Sequence, residues 1–265
     1  MTTSDKRLFV DAIRTWCGQN GVKCEVRSQG WLIVMERGAK RRFAFGYDIG
    51  LNSAMAHRIA NDKSATAEAL AFSGIGCVPH QLFLSPKLGK HVLPDGSGDA
   101  MLGLLRKYDR GLVVKPNEGT SGRFVFKVTS EAALEHAAKE IFTSHPSLAV
   151  SPFLEIEEEV RVILLDDVPL VVYRKQRASD WRHNLDFGAQ PVLLVQGQAR
   201  NHCIAIAIKA ARAIGIRFAS IDVVRVGQDW QVLEINSGVM METLGKHHPE
   251  LVHAAYAAAL DKVFE

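Results

Sequence analysis

Apolar residues recur at helical spacing from Leu8 to Gln19, where Phe9, Ala12, Ile13 and Trp16 share one face and Gly18, Asn20 and Gly21 supply stop signals. Alternation then predicts strands at Val22–Arg27, Trp31–Glu36 and Arg42–Tyr47, joined by turns at Gln29-Gly30 and Arg37-Gly38-Ala39. These first ~60 residues read as a small α/β cap. One long helical pattern runs from Ser53 to Ser73 and stops at Gly74-Ile75-Gly76-Cys77-Val78-Pro79, before a new strand. Pro86 to Asp99 reads as loop.

Beyond that loop the pattern predicts strands at Gly111–Lys115 and Phe124–Val128, then a helix from Ser130 to Phe142 whose first residues suit an N-terminus. After His145-Pro146 the periodicity turns to β, with strands at Leu148–Leu154, Glu159–Leu165 and Leu170–Arg174, the last two meeting at Asp166-Asp167. A helix over Asn201–Ile214, strands at Ala219–Val226 and Trp230–Asn236, and an Ala-rich helix over Pro249–Val263 complete the chain. There is no internal repeat and no low-complexity tract.

Composition narrows the class. The 265 residues are 47% hydrophobic and 23% charged, the balance of a globular protein. Lys and Arg number 32 against 29 Asp and Glu, and a formal charge of +3 is too small to indicate nucleic acid; the basic run Lys40-Arg41-Arg42 suits a turn equally well. No apolar run approaches the ~20 residues needed to span a bilayer, and no signal-type segment follows Met1–Lys6, so a cytoplasmic protein without membrane partners is expected. Cys17, Cys24, Cys77 and Cys203 lie far apart and read as reduced thiols, not a zinc site.

Three segments carry chemistry. In Leu112-Val113-Val114-Lys115-Pro116-Asn117-Glu118-Gly119-Thr120-Ser121-Gly122-Arg123 a strand delivers a lysine directly before a glycine loop with two hydroxyls, so that an ammonium and backbone amides can converge on a polyphosphate. The lysine precedes the glycines, unlike a P-loop, and a polar hairpin tip is the competing reading. In the second, Asp222 and Glu234 lie close to opposite each other on two apolar strands, with Asn236 on the face of Glu234. These are three hard oxygen donors suited to Mg²⁺, or else acids on a solvated face. In the third, Arg174, Lys175, Arg182 and Asn184 cluster after a strand and could hold a carboxylate or acyl phosphate; a basic surface loop is the plain alternative.

From Asn61 onward the three segments resemble the ATP-grasp superfamily, and within it the ribosomal-protein glutamate ligase and glutathione synthetase group. Trp181-Arg182-x-Asn184-x-x-x-Gly188 is similar to that group's aromatic-Arg-x-Asn run, and Asp222…Glu234-x-Asn236 to its metal triad. Asn61-Asp62-Lys63-x-x-Thr66 resembles the helix that precedes the lid in cyanophycin synthetases. The resemblance implies an α+β, ATP-grasp fold: two α+β lobes clamping a nucleotide, with residues 1–60 as the cap, 61–150 as helix plus lid and 151–265 as the lobe with the metal site.

It further implies ATP with Mg²⁺, or Mn²⁺ in its place, and an enzyme that joins a small-molecule or peptide carboxylate to an amine through an acyl phosphate. Lys63, Lys115, Gly119, Thr120, Ser121 and Gly122 would then face the phosphates, Phe153 and Leu154 the adenine, and Glu159 the ribose. Asp222, Glu234 and Asn236 would hold the metal, while Arg161, Arg174, Arg182 and Asn184 would steady the acyl phosphate. Homodimers or higher assemblies are expected from the resemblance alone. A small-molecule kinase and a nucleotide-binding regulator without catalysis are the competing functions. Ser151-Pro152 stands where relatives often carry an acidic hinge residue, Asn236-Ser237-Gly238 lacks the group's following proline, and the cap is short.

Overall fold

The computed structural model describes residues 7–91, 97–119, 122–177, 185 and 188–265. The chain opens with α1 (Leu8–Gln19), whose bounds match the apolar periodicity, followed by an antiparallel sheet of β1 (Lys23–Arg27), β2 (Leu32–Arg37) and β3 (Lys40–Phe45). The final helix, α8 (Pro249–Phe264), lies against α1, and the Trp16 indole N–H donates to Asp261 at 2.8 Å. Phe9, Ile13 and Trp16 of α1 thus share a core with Ile33 and Met35 of β2 and Tyr256, Leu260 and Phe264 of α8. The first and last segments of the chain form one packed unit.

The stretch from Ser53 to Ser73 is two helices, α2 (Ala54–Asn61) and α3 (Lys63–Phe72), where the apolar spacing predicted one. Asp62 causes the break. It leaves the helical region at φ −98°, ψ 113°, and its carboxylate accepts from Ala65 N at 2.7 Å, capping the second helix. Periodicity continues across the break and hides it.

β4 (Gln81–Leu84), β5 (Leu112–Pro116), β6 (Phe126–Val128) and β7 (Ser147–Pro152) form a four-stranded antiparallel sheet in the order β4-β7-β5-β6. One face packs on α4 (Ser97–Lys107) and α5 (Glu131–Ser144) through Leu112, Val114, Leu148, Val150, Leu134 and Ile141. α4 begins inside the stretch expected to be loop, where Gly98 and Asp99 had obscured a following apolar stripe. Gly111, at φ +88°, starts β5; a Cβ there would stand 2.3 Å from the Val128 carbonyl oxygen. The Gly111 carbonyl accepts from Phe153 N at 2.9 Å and so ties the chain after β7 to the start of β5. We expect Gly111→Ala to lower stability by at least about 2 kcal/mol, from overpacking plus left-handed backbone strain, read as a lower urea midpoint. An unchanged midpoint would contradict this placement.

The larger sheet is antiparallel in the order β10-β9-β8-β11-β12, from β8 (Glu158–Leu165), β9 (Val168–Gln176), β10 (Gln190–Leu193), β11 (Phe218–Val226) and β12 (Asp229–Asn236). β10 escaped the sequence reading; Pro191 is accommodated because the strand is at the edge. α6 (Gln198–Ile214) covers one face through Cys203, Ala207 and Ala211 against Val160, Val162, Ile221 and Val223. The alternate residues face the other way. There Ile163, Leu165, Val171 and Phe218 join the α1/α8 core, while the polar remainder faces the four-stranded sheet across a cleft. The four cysteines are free, and among the described residues no helix is long and apolar enough to cross a membrane.

Candidate active site

The cleft between the two sheets encloses about 730 Å³. Beneath it a row of side chains runs across four strands of the larger sheet; Tyr173, Arg161 and Glu234 of this row line the cleft, whereas Asp222 is fully buried and does not. Tyr173 on β9 stands opposite Arg161 on β8, Arg161 opposite Asp222 on β11, and Asp222 opposite Glu234 on β12.

Two β-bulges set this row. From the Gly227-Gln228 turn an unbroken hairpin would pair Asp222 with Leu233; the register shifts between Asp222 and Val223, bringing Asp222 opposite Glu234. A second shift, between Ile163 and Leu164, turns Tyr173 and Lys175 toward the cleft. Arg174, expected beside the acyl phosphate, consequently does not line the cleft. It lies on the other face, exposed, 3.5 Å from Glu158. A one-residue slip exchanges the faces of a whole strand, and the sequence carries no count of the bulge.

Asp222 is fully buried and spans two cations: its oxygens accept from Arg161 Nε at 2.7 Å and Nη2 at 2.6 Å, and from Lys175 Nζ at 2.8 Å. Lys175 also pairs with Glu159, which lines the cleft. Burial would lower the Lys175 pKa, as would Arg161, yet Asp222, Glu159 and Glu234 together raise it above the usual lysine value. Burial also opposes ionisation of Glu234, but Lys63, Lys115, Lys175 and Arg161 override it and hold the carboxyl at about 2. Its Oε1 accepts from Asn236 Nδ2 at 3.3 Å.

Lys115 reaches the cleft from β5. Burial is the largest influence on it and Lys63 adds to the effect, pushing its pKa down to about 8 against the opposing pull of Glu234. Lys63, first residue of α3, donates Nζ to the Gly119 carbonyl at 2.9 Å, and its backbone N–H donates to Asn117 O at 3.1 Å. The helix break at Asp62 therefore places a second lysine beside the loop after β5. Gly119, Gly122, Phe153 and Leu154 line the cleft as well. The Phe153 ring lies 3.6 Å beneath Lys127 Nζ, and its backbone N–H is already used on Gly111. Thr120, Ser121, Arg182 and Asn184 lie outside the described residues.

At the cap end the walls are Trp31, Phe45, Tyr47, Asp48 and His57, none of which the sequence reading singled out as site residues. Glu242, first residue of the short helix α7 (Glu242–Gly245), closes this end. Its carboxylate accepts from Leu8 N at 2.9 Å, Phe9 N at 3.3 Å and the Tyr47 hydroxyl at 3.1 Å, placing negative charge at the N-terminus of α1. Tyr47 ends the strand that the sequence predicts at Arg42–Tyr47 and Asp48 follows it, and that position is the available signal.

Residues 96–252, more than half of the chain, match the profile of the RimK-like ATP-grasp domain. The chain belongs to this ATP-grasp family. It is 28% identical over 214 residues to the ribosomal protein bS6–L-glutamate ligase of Escherichia coli strain K12 / DH10B, covering 78% of this chain and 66% of that protein. The chain thus matches just under two thirds of that relative's length. Among solved structures, D-alanine–D-alanine ligase from Bacillus anthracis complexed with ATP superposes with a TM-score of 0.59 at 16% identity, over 81% of this chain and 71% of that one. A bifunctional glutathione synthetase from Pasteurella multocida superposes with a TM-score of 0.53 at 13% identity, over 95% and 44% respectively. The fold expected from the sequence, an ATP-grasp arrangement of two α+β lobes, is the fold observed.

The donors of this ATP-grasp cleft suit magnesium in part. Glu234 stays ionised and Asn236 stands two residues along the same strand face, so both fit a hard cation. Asp222 fits less well: Arg161 takes both of its oxygens and Lys175 one of them, and it does not line the cleft, so it serves as a third donor only by exchanging these contacts. Three side chains are fewer than the six oxygens of an octahedral shell, and nucleotide phosphates and water would complete it. Among the described residues, no group of three or more His, Cys, Asp or Glu could hold a metal by itself.

Proposed function

We propose that the protein is an ATP-dependent carboxylate–amine ligase, which phosphorylates the carboxylate of an amino acid or peptide and passes the acyl phosphate to an amine, yielding an amide, ADP and phosphate. One observation carries the reading: Lys63, Lys115, Arg161 and Lys175 converge on a buried cleft beside the ionised Glu234. Such an array is suited to a polyanion together with a cation, and the charge complementarity is built before any ligand arrives.

Lys115 and Lys63 hold the phosphate chain as point charges, with Gly119 and Gly122 beside them. Glu234 and Asn236, with Asp222 if it exchanges its present contacts, would hold Mg²⁺, which would offset charge on the phosphate oxygens. Phe153 and Leu154 supply an apolar wall for the base. Arg161, fixed by its two bonds to Asp222, presents a positioned guanidinium to the oxygens of the transferred phosphoryl. A carboxylate is a poor electrophile until phosphorylation provides its leaving group.

The test is incubation with Mg²⁺-ATP and a panel of amino acids and dipeptides, singly and in pairs, with hydroxylamine as an alternative acceptor. We expect ADP and phosphate in equal amounts, a new amide mass, and a hydroxamate when hydroxylamine replaces the amine. ADP with a phosphorylated product and no free phosphate would make the protein a kinase. Nucleotide binding without turnover on any pair would support a regulatory module.

A further inference from the structure

We propose that Tyr173 is a catalytic residue of this cleft: its hydroxyl donates to the substrate carboxylate while Arg161, one strand away, holds the phosphoryl group being transferred. This rests on the ligase reading and adds to it the place where the acid sits.

Tyr173 is 0% exposed, yet it lines the cleft. Its hydroxyl is buried and has no hydrogen-bond partner among the described residues. A buried hydroxyl without a partner is costly, and one that faces a cavity gains its partner when a ligand supplies an acceptor. The ring belongs to the core shared with α1 and α8, and Leu193 of β10 flanks it on the strand beyond, so the hydroxyl is held in place by apolar packing.

The row across the sheet identifies the acceptor. In spatial order it reads Glu234, Asp222, Arg161, Tyr173. The carboxylate that suits a cation stands at one end, the guanidinium follows beyond the buried Asp222, and the neutral donor stands at the other end. A phosphate chain entering from Glu234 puts its terminal phosphorus over Arg161, and the next group along is the one attacking it. Tyr173 O–H suits an oxygen acceptor there, and a carboxylate offers two. One oxygen attacks the terminal phosphorus, the bond from that phosphorus to the bridging oxygen breaks, and its electron pair leaves with ADP. The other oxygen accepts from Tyr173, which keeps its proton throughout. In the resulting acyl phosphate that second oxygen is the carbonyl oxygen, on which negative charge develops when the amine attacks. The same donor serves both steps.

The experiment compares Tyr173→Phe with the wild type in hydroxamate formation from Mg²⁺-ATP, hydroxylamine and the panel of amino acids and dipeptides. For an acid that the wild type turns over, we expect kcat/KM for the acid to fall at least tenfold while the KM for ATP stays within twofold. Equal kcat/KM values for the two proteins would overturn the proposal, as would a parallel loss of ATP affinity. Ligand-free thermal unfolding supplies an independent arm. Removing a hydroxyl that has no partner should leave Tm unchanged or raise it, whereas a fall of several degrees would show the hydroxyl bonded within the fold and overturn the proposal. No hydroxamate from any acid with the wild type would count against the ligase reading itself, and the unfolding arm would still decide the state of the hydroxyl.

Discussion

Glu234→Gln should remove Mg²⁺-ATP turnover, by roughly a thousandfold or more, while the protein stays folded and still binds nucleotide. The side chain keeps its size and loses its charge. That charge has two tasks: it offers hard oxygens to a divalent cation, and it balances Lys63, Lys115, Lys175 and Arg161, the same four groups that hold its pKa at about 2. Removing it takes away the metal donor and leaves the cations less neutralised. Two measurements should therefore move in opposite directions. ADP release with Mg²⁺ should collapse, and ATP binding in the presence of a chelator should be retained or tightened. Turnover within tenfold of wild type would remove Glu234 from the metal site.

Lys115 should impose a pH dependence on nucleotide affinity. Its pKa is depressed to about 8, chiefly by burial, so the free protein carries the ammonium below pH 8 and a neutral amine above it. The phosphate chain favours the charged form and raises the pKa in the complex. Binding above pH 8 must then take up a proton. The Kd for ATP should be flat below about pH 8 and rise by up to tenfold per unit above it, until the pKa of the complex is reached. Lys115→Met should raise Kd by ~10–100-fold at pH 7, the range for losing a charge-assisted hydrogen bond, and should abolish this slope. Titration calorimetry across pH 7–9.5 in buffers of differing ionisation enthalpy measures both the slope and the proton uptake. A wild-type Kd that is flat over that range would contradict the role given to Lys115.

Much of this architecture could be read from the sequence because local chemistry dictates it. Helix α1 has its observed bounds because apolar spacing and the stop signals at Asn20 and Gly21 agree, while Gly18 lies inside the helix. The place of Lys115, Gly119 and Gly122 at the cleft followed from a lysine at a strand end before glycines, and the pairing of Asp222 with Glu234 from residue types on neighbouring strands. The remaining features depend on register and on competition that periodicity does not record. Asp62 breaks a continuous apolar pattern by capping α3, and that break sets Lys63 beside Gly119. The bulge between Ile163 and Leu164 exchanges the faces of β9, giving Tyr173 and Lys175 to the cleft and Arg174 to solvent. The core of the cap includes α8 and the end of the larger sheet, with the Trp16–Asp261 contact made across more than two hundred residues of chain. Trp31, Phe45 and Asp48 face the cleft because of that packing.

The claim that a carboxylate is activated as an acyl phosphate is tested most directly with an acid labelled with ¹⁸O in its carboxylate, chosen from those that support turnover. Attack by a carboxylate oxygen on the terminal phosphorus, followed by displacement by the amine, moves that oxygen to phosphate. Mass spectrometry should find one ¹⁸O in each phosphate released and one left in the amide. Phosphate free of label, with both ¹⁸O atoms still on the acid, would show that ATP is cleaved without acyl transfer and would contradict the account.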